Sequence, residues 1–234
     1  MKLRFQLWMF VIFFLLTGCV STQHLSTPTQ SLTGSSQQNS GIFSEKPCKA
    51  PCWQNLTPGQ STKNDVEHII NGLNKSDWPS NRSFSYLTGC EGWQISNVSE
   101  VVSFNIEDGK LTFIELSSEH LTNLQDLVNH LGPPEYFEAV WAIGPDGSTY
   151  SVEVYYPSQG LAFIVSHTQT DVGYIKPSMV VVTAHYLAPG SLLSYFTARK
   201  SCSIGQADAI TEAQREISVH VQPWSGFGAV KVTP

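Results

Sequence analysis

The chain has 234 residues, of which 13 are Lys or Arg and 19 are Asp or Glu, so its formal charge is −6. An acidic chain without basic clusters argues against nucleic acid or anionic lipid headgroups as partners. The length suits one domain or two small ones.

The N-terminus has the order of a bacterial lipoprotein signal peptide. Lys2 and Arg4 precede an apolar run, Phe5 to Leu16, that is shorter than the ~20 residues of a membrane-spanning helix. The run ends at Leu16-Thr17-Gly18-Cys19, which resembles the lipobox, where the peptide is cut before the cysteine and the thiol is acylated. We expect lipid on Cys19 to anchor the protein outside the cytoplasm, to the cell membrane or the outer membrane. The alternative is an ordinary signal or anchor that happens to contain a cysteine.

Three segments follow from this interpretation. Residues 1–18 are the signal peptide, 19–46 a lipidated tether, and 47–234 an extracytoplasmic folded domain. The tether is rich in Ser, Thr and Gln, and such a composition cannot bury enough apolar area to offset the entropy of ordering the chain. It is therefore predicted to be flexible.

Four cysteines remain once Cys19 carries lipid, namely Cys48, Cys52, Cys90 and Cys202. An even number outside the cytoplasm predicts two disulfides. The spacing of Cys48 and Cys52 also fits half of a zinc site, but no histidine lies at a partner spacing. Three connectivities are open, and the larger stabilisation expected of long loops favours pairing of Cys48 and Cys52 with Cys90 and Cys202.

The folded domain is predicted to begin with a helix and a strand meander. Thr62, with Asp65 three residues later, has the pattern of a helix cap, and apolar residues then recur at helical spacing from Val66 to Leu73. Short strands are predicted next, and Asp108-Gly109 between the last two indicates a hairpin. These strands lie at Phe84 to Leu87, Gly92 to Ile95, Val101 to Ile106 and Leu111 to Leu116.

A second helix and meander follow. Thr122 with Gln125 predicts the start of the helix, and Gly132-Pro133-Pro134 predicts its end. The predicted strands are Tyr136 to Ile143, Thr149 to Tyr156, Leu161 to Val165 and Met179 to Tyr186, before short helices at Leu192 to Ala198 and Ala207 to Ile217 and a strand at Val219 to Gln222. This order predicts an α+β fold with an antiparallel sheet, with possible tandem repeats at 53–118 and 119–190 and an extension at 191–234.

Two segments of the sequence resemble those of a known protein family. Leu56-Thr57-Pro58-Gly59-Gln60-Ser61-Thr62 and the hairpin from Phe104 to Leu111 resemble the SmpA/BamE-type lipoprotein module, and Leu131-Gly132-Pro133-Pro134 matches its Leu-Gly-x-Pro element in the position of a second copy. A duplicated helix and meander is similar to the β-lactamase-inhibitor-protein fold. The resemblance covers residues 56 to 166 in fragments and implies a protein-binding or scaffold module of the cell envelope, with no catalytic residue.

Candidate catalytic groups are scattered. The histidines, including His68, His130 and His185, are far apart in the chain and are interpreted as surface or hydrogen-bonded groups. Glu115 with Glu153, or Glu135 with Glu138, have the chemistry of a glycosidase pair, but solvated strand faces explain them better. We expect no enzyme, no cofactor and no metal.

Aromatic residues crowd the second meander. Strict alternation places Tyr155 and Tyr156 on opposite faces of one strand, so one of them is expected to face solvent. Together with Trp141 they are the predicted binding residues, since Tyr and Trp anchor interfaces or stack on sugars. The alternative is that both tyrosines pack under neighbouring loops.

These observations favour a non-enzymatic interaction module that binds an envelope protein or a wall polymer. A solute- or glycan-binding lipoprotein is the alternative, and an envelope hydrolase comes third. We expect the first two helices to cover one face of the sheet and to leave the other face or an edge available for contact.

Overall fold

The computed structural model describes residues 43, 47–73, 83–87, 91–97, 99–144, 147–166, 172–204 and 206–233. All of them belong to one compact unit, Gln38–Pro234. Across these residues a nine-stranded antiparallel sheet packs with four helices, so the predicted α+β class is confirmed.

The elements follow one another as helix, meander, helix, meander and a helical C-terminal part. The helices are α1 (Lys63–Leu73), α2 (Leu124–Leu131), α3 (Leu192–Ile204) and α4 (Gln206–His220). The strands of the main sheet are β1 (Ser83–Leu87), β2 (Gly92–Ser96), β3 (Glu100–Glu107), β4 (Lys110–Asn123), β5 (Tyr136–Gly144), β6 (Gly147–Tyr156), β7 (Leu161–Ser166), β9 (Val180–Leu187) and β10 (Val221–Pro223). A separate two-stranded sheet pairs β8 (Tyr174–Ile175) with β11 (Gly228–Ala229).

The strand order of the main sheet is β1-β2-β3-β4-β9-β7-β6-β5-β10. One meander runs inwards from β1 to β4 and the other runs inwards from β5 to β9, so the two halves meet where β4 pairs antiparallel with β9. We call this pairing the seam. Each half starts with a helix, α1 or α2, as the sequence pattern indicates, while the predicted repeat boundaries at 53–118 and 119–190 stay a prediction.

The cap of α1 has the predicted residues. The backbone N–H of Thr62 donates to Asp65 Oδ2 at 2.7 Å, and the backbone N–H of Asp65 donates to Thr62 Oγ1 at 3.3 Å. Each side chain thus accepts a hydrogen bond from an amide that the helix leaves unpaired. This prediction is confirmed.

The cap of α2 differs from the prediction by one residue. Asn123, not Thr122, precedes the helix, and its Oδ1 accepts from the backbone N–H of Asp126 at 2.8 Å. Thr122 instead extends β4, where it pairs with Val181. The predicted end is confirmed, because Gly132 has φ +84 and its N–H donates to the carbonyl of Val128.

The front face of the sheet, which carries Phe104, Val154 and Phe163, forms the larger core. Residues of the segment before α1, of α1, of α2 and of the C-terminal segment pack on it, among them Leu56, Val66, Ile70, Leu124, Leu127 and Trp224. Burial of each large apolar side chain contributes about 1.5–3 kcal/mol. This face therefore holds most of the stabilising contacts of the fold.

The back face, which carries Glu115, Tyr155 and His185, is covered only in part. Tyr195 and Phe196 of α3 and Ala213 of α4 form a second core with Phe113, Tyr155, Ala162 and Leu187 of the sheet. Helices α1 and α2 pack on one face, as expected, but the expectation that the other face or an edge stays available is wrong for the strands β4, β9, β7, β6 and β5, whose back face is covered. It omitted the α3–α4 pair, whose apolar residues need a sheet face to be buried.

The disulfide differs from the favoured connectivity. Cys48 and Cys52 are bonded to each other, with Cα atoms 5.7 Å apart. The preference for long loops is therefore wrong for this pair, which closes a short loop with a sequence separation of 4. Cys19 and Cys90 lie outside the described residues, and Cys202 lies in α3.

Helices within the described ranges are too short or too polar to cross a membrane.

Candidate functional site

A cluster of ionisable side chains lies between the back face and α3. We call Glu115, Glu153, His185, Tyr195 and Arg199 the ionic cluster. The sheet supplies the first three from β4, β6 and β9, and α3 supplies the other two one helical turn apart. Glu115 lies directly opposite His185 across the seam.

His185 is the centre of the cluster and is almost completely buried, with 1% of its surface exposed. Its Nε2 lies 3.5 Å from Glu115 Oε2, and its Nδ1 lies 3.3 Å from Glu153 Oε1 and 2.6 Å from the Tyr195 hydroxyl oxygen. That hydroxyl donates its own proton to Glu153 Oε1. Nδ1 therefore donates to the tyrosine oxygen. Nε2 makes no hydrogen bond but faces the carboxylate of Glu115, whose negative charge favours a proton on this nitrogen and thus an imidazolium.

Glu153 is the main anion of the cluster and is 3% exposed. Its Oε2 accepts from Arg199 Nη1 at 2.8 Å. Burial alone would raise the pKa of Glu153, but the positive charge of Arg199 and the hydrogen bonds from His185 and Tyr195 outweigh it, so its pKa lies well below the usual value. Glu153 is ionised at neutral pH.

The pKa of His185 changes in the opposite direction. Burial would lower it, but the neighbouring carboxylates of Glu115 and Glu153 outweigh burial and raise the pKa above 6.5. The proximity of His185 in turn lowers the pKa of Glu115. Both directions favour an imidazolium at His185.

Glu138 is a third carboxyl group beside the cluster. It lies on β5 directly opposite Glu153 of β6, where two like charges repel. Burial raises the pKa of Glu138 to about 7, and the charge of Glu153 adds to the rise, while the hydroxyl of Tyr155 offsets part of it. Glu138 therefore holds a proton up to neutral pH.

The cluster contains an acid, a base and an imidazole. A small cleft beside it is lined by Tyr155, Leu187 and Tyr195, and its volume of about 10 Å³ holds about one water molecule. Glu115 and Arg199, at the edges of the cluster, have 37% and 38% of their side-chain surface exposed. The contacts of Tyr195 and Arg199 with Glu153 attach α3 to the sheet.

The structure brings together residues that the sequence analysis kept apart. Glu115 and Glu153 were interpreted as solvated, which is wrong for Glu153, because α3 covers it. His185 is a hydrogen-bonded buried group, as interpreted. Tyr195 and Arg199 were missed, and their spacing of four residues on one helix was the available signal.

The predicted aromatic binding residues are mostly buried. Tyr155 is 1% exposed under α3 and α4, and Tyr156 is 0% exposed on the front face, where its hydroxyl donates to the carbonyl of Gly132 at 3.0 Å. The expectation that one of them faces solvent is therefore wrong, because both sheet faces are covered at β6. Both tyrosines are packed, as the alternative had it, but Tyr155 lies under helices and not under loops. Trp141 packs partly buried against the front core.

The described helices leave the back face of β1, β2 and β3 uncovered, and they reach the first half at Phe113 of β4. We call its partly or fully exposed polar residues the open face: Ser85, Gln94, Ser96, Ser103, Asn105, Glu115 and Ser117. Ser85, Gln94, Ser103 and Glu115 form one row across four strands, and the row continues into buried His185. The side chain of Glu115, 37% exposed, thus joins the ionic cluster to the open face.

A groove lies beside α1, with a volume of about 360 Å³ and an open shape. It is lined by Asn55, Leu56, Thr57, Gln60, Ser61, Asp65, His68 and Ile69, without an aromatic side chain. It therefore lacks the aromatic lining that the glycan-binding alternative would use.

No group of three or more His, Cys, Asp or Glu side chains within the described part of the chain is placed to hold a metal ion.

Comparison with known proteins identifies no family for this chain. The chain matches no protein-family model, no curated protein and no solved structure.

Proposed function

We propose that this protein is a lipid-anchored, non-enzymatic interaction module of the bacterial cell envelope, and that the open face is its contact surface. Acylated Cys19 would hold it at the membrane, and the partner would be another envelope protein or a wall polymer. The observation that carries the proposal is that, within the described residues, α3 and α4 cover the second half of the back face and reach the first half at Phe113 of β4. The remaining strands of the first half present a mainly polar sheet surface, in which Val101 lies between Ser96 and Ser117.

The chemistry of the open face fits contact with a hydrogen-bonding partner. Serine, glutamine and asparagine side chains both donate and accept hydrogen bonds. The serines are short and lose little rotamer entropy when a partner covers them, unlike Lys or Arg. The face is also nearly free of charge, since Glu115 is its one ionisable residue, so burying it costs less desolvation than burying a charged surface.

A substitution in the centre of the open face tests the proposal. Ser103 lies between Gln94 and Glu115, so Ser103→Arg would place a long cation where the partner packs. We expect at least a tenfold loss of binding to solubilised envelope proteins or isolated wall polymer. Gln214→Arg, on the exposed surface of α4, makes the same kind of change away from the open face and should bind as the unaltered chain does. Equal binding by both variants would refute the open face as the contact surface.

An assay on wall, ester and glycan substrates tests the non-enzymatic part. We expect no turnover. Robust turnover by the full chain that a folded Glu153→Gln variant lacks would identify the ionic cluster as an active site and overturn the proposal.

The groove beside α1 supports a second candidate, binding of a small polar solute. Its volume of about 360 Å³ is within the range of ligand pockets, and Asn55, Asp65 and His68 offer polar groups. Titration calorimetry with sugars and amino acids is the measurement, and heat of binding that His68→Ala removes would favour this function.

A further inference from the structure

The α3–α4 pair meets the back face at ionisable groups from β4, β5, β6, β9 and α3, while β7 supplies the apolar Ala162. The sheet supplies Glu115, Glu138, Glu153 and His185, and α3 supplies Tyr195 and Arg199. Lys200 of α3 and Glu216 of α4 form an ion pair with each other, and the charge of Glu216 adds to the rise in the pKa of Glu138. Tyr155 is neutral, since burial raises its pKa well above 10.

The charges of these groups balance in one protonation state. Glu115 and Glu153 are anions, and Arg199 and a protonated His185 are cations, so the ionic cluster is neutral when Glu138 also holds its proton. Loss of the protons from His185 and Glu138 leaves two uncompensated negative charges at the interface between sheet and helices. An unpaired buried charge is among the most destabilising features of a protein interior.

We propose that the α3–α4 pair is a proton-dependent latch, closed while His185 and Glu138 hold their protons and loosened from the sheet as the pH rises above neutrality. The geometric basis is the direct opposition of Glu138 to Glu153, together with the burial of the His185 ring, whose Nδ1 bonds Tyr195 and whose Nε2 lies 3.5 Å from the carboxylate of Glu115. Opening uncovers the apolar residues of the second core: Phe113, Tyr155, Ala162, Leu187, Tyr195, Phe196 and Ala213.

The remainder of the fold does not depend on these protons. The front core is a separate cluster that holds α1 and α2 on the other side of the sheet, and its buried members are apolar. Local opening of one element pair at lower free energy than global unfolding is common in proteins. Opening of the latch is therefore expected to leave α2 protected.

The size of the effect follows from linkage. Glu138, with a pKa of about 7 in the closed state and 4.5 when exposed, favours the closed state most at low pH. As the pH rises from about 6 to about 8.5, deprotonation of Glu138 alone shifts the equilibrium about tenfold towards the open state. Loss of the proton from His185, whose pKa is also raised, acts in the same direction.

Hydrogen–deuterium exchange of the full chain, corrected for the intrinsic pH dependence, tests the latch. Between about pH 6 and pH 8.5 we expect protection of Leu192–Ile204 and Gln206–His220 to fall at least tenfold relative to α2. Equal pH dependence in the three helices would overturn the proposal.

Two variants identify the groups responsible. Glu138→Gln removes one of the two protons that the closed state must hold. The loss of protection between about pH 6 and pH 8.5 should therefore be about tenfold smaller in this variant than in the unaltered chain. Glu119→Gln makes the same change at an exposed position of β4 and should retain the full fall. If Glu138→Gln behaves as Glu119→Gln does, Glu138 is not part of a latch, and the charge argument fails even where the unaltered chain shows pH dependence.

Discussion

At the scale of single residues, Glu138 shows how burial and one neighbouring charge alter a carboxyl group. Its pKa of about 7 in the folded chain exceeds the ordinary 4.5. The folded state therefore binds a proton that the unfolded state has already released between these two pH values. Stability must fall as the pH rises through this window, because the unfolded chain gives up that proton more easily.

Glu138→Gln should remove this part of the pH dependence. We expect the variant to be more stable than the unaltered chain by about 1–3 kcal/mol at pH 8, and close to it at pH 5, since a neutral amide replaces a carboxylate that is costly to ionise. Denaturant unfolding at the two pH values measures the difference. A gain of equal size at both pH values would mean that packing, not ionisation, distinguishes the variant.

Contacts between residues that are distant in the chain could not be predicted from the sequence. His185 and Glu153 lie far apart in the chain, and their contact depends on the pairing of β6, β7 and β9. Alternation along β6 places Tyr155 and Tyr156 on opposite faces, but it contains no information about which later helix covers which face. The buried state of both tyrosines therefore could not be predicted from the strand itself.

At the scale of elements, the sequence predicted turns and helix ends better than it predicted contacts between distant elements. The interacting atoms of a turn or a helix cap are neighbours in the chain. Asp108 and Gly109 have φ of +50 and +72, which is the turn that Asp-Gly predicts between β3 and β4. The cap of α1 and the end of α2 at Gly132 were also predicted. The start of α2 was not, because Thr122 and Asn123 are both good caps and only the length of β4 decides between them.

A pair of substitutions tests the corrected cap. Asn123→Ala removes the side chain that accepts from Asp126 N–H and should cost about 1 kcal/mol of unfolding free energy. Thr122→Ala, at the neighbouring position within β4, leaves that hydrogen bond intact and should cost less. Unfolding by urea measures both. A larger loss for Thr122→Ala would restore the original prediction.

At the scale of the whole molecule, the fold and the proposed contact surface are formed by the described residues. The predicted lipid anchor, Cys19, lies outside them. The lipobox pattern depends on position and residue order and is independent of the fold. Membrane attachment and folding are therefore expected to be separable.

Cys19→Ser tests the anchor. Serine lacks the thiol to which lipid attaches, so we expect the variant either to stay unprocessed or to leave the membrane fraction. Fractionation with mass measurement of the N-terminus distinguishes these states, and unchanged melting of the folded domain is the control. A Cys19→Ser chain that is processed and still membrane-bound would disprove lipidation at this residue.

The seam between β4 and β9 has a consequence for folding kinetics. Each meander is built from neighbouring strands of low contact order, whereas the seam joins residues as distant as Phe113 and Leu187. Such non-local pairing is expected to form late, since loop closure must come first. Until then β4 and β9 are both edge strands with apolar residues on one side, and an exposed edge of this kind can pair with another chain. The interval before seam closure is therefore when a newly synthesised chain is most prone to aggregate.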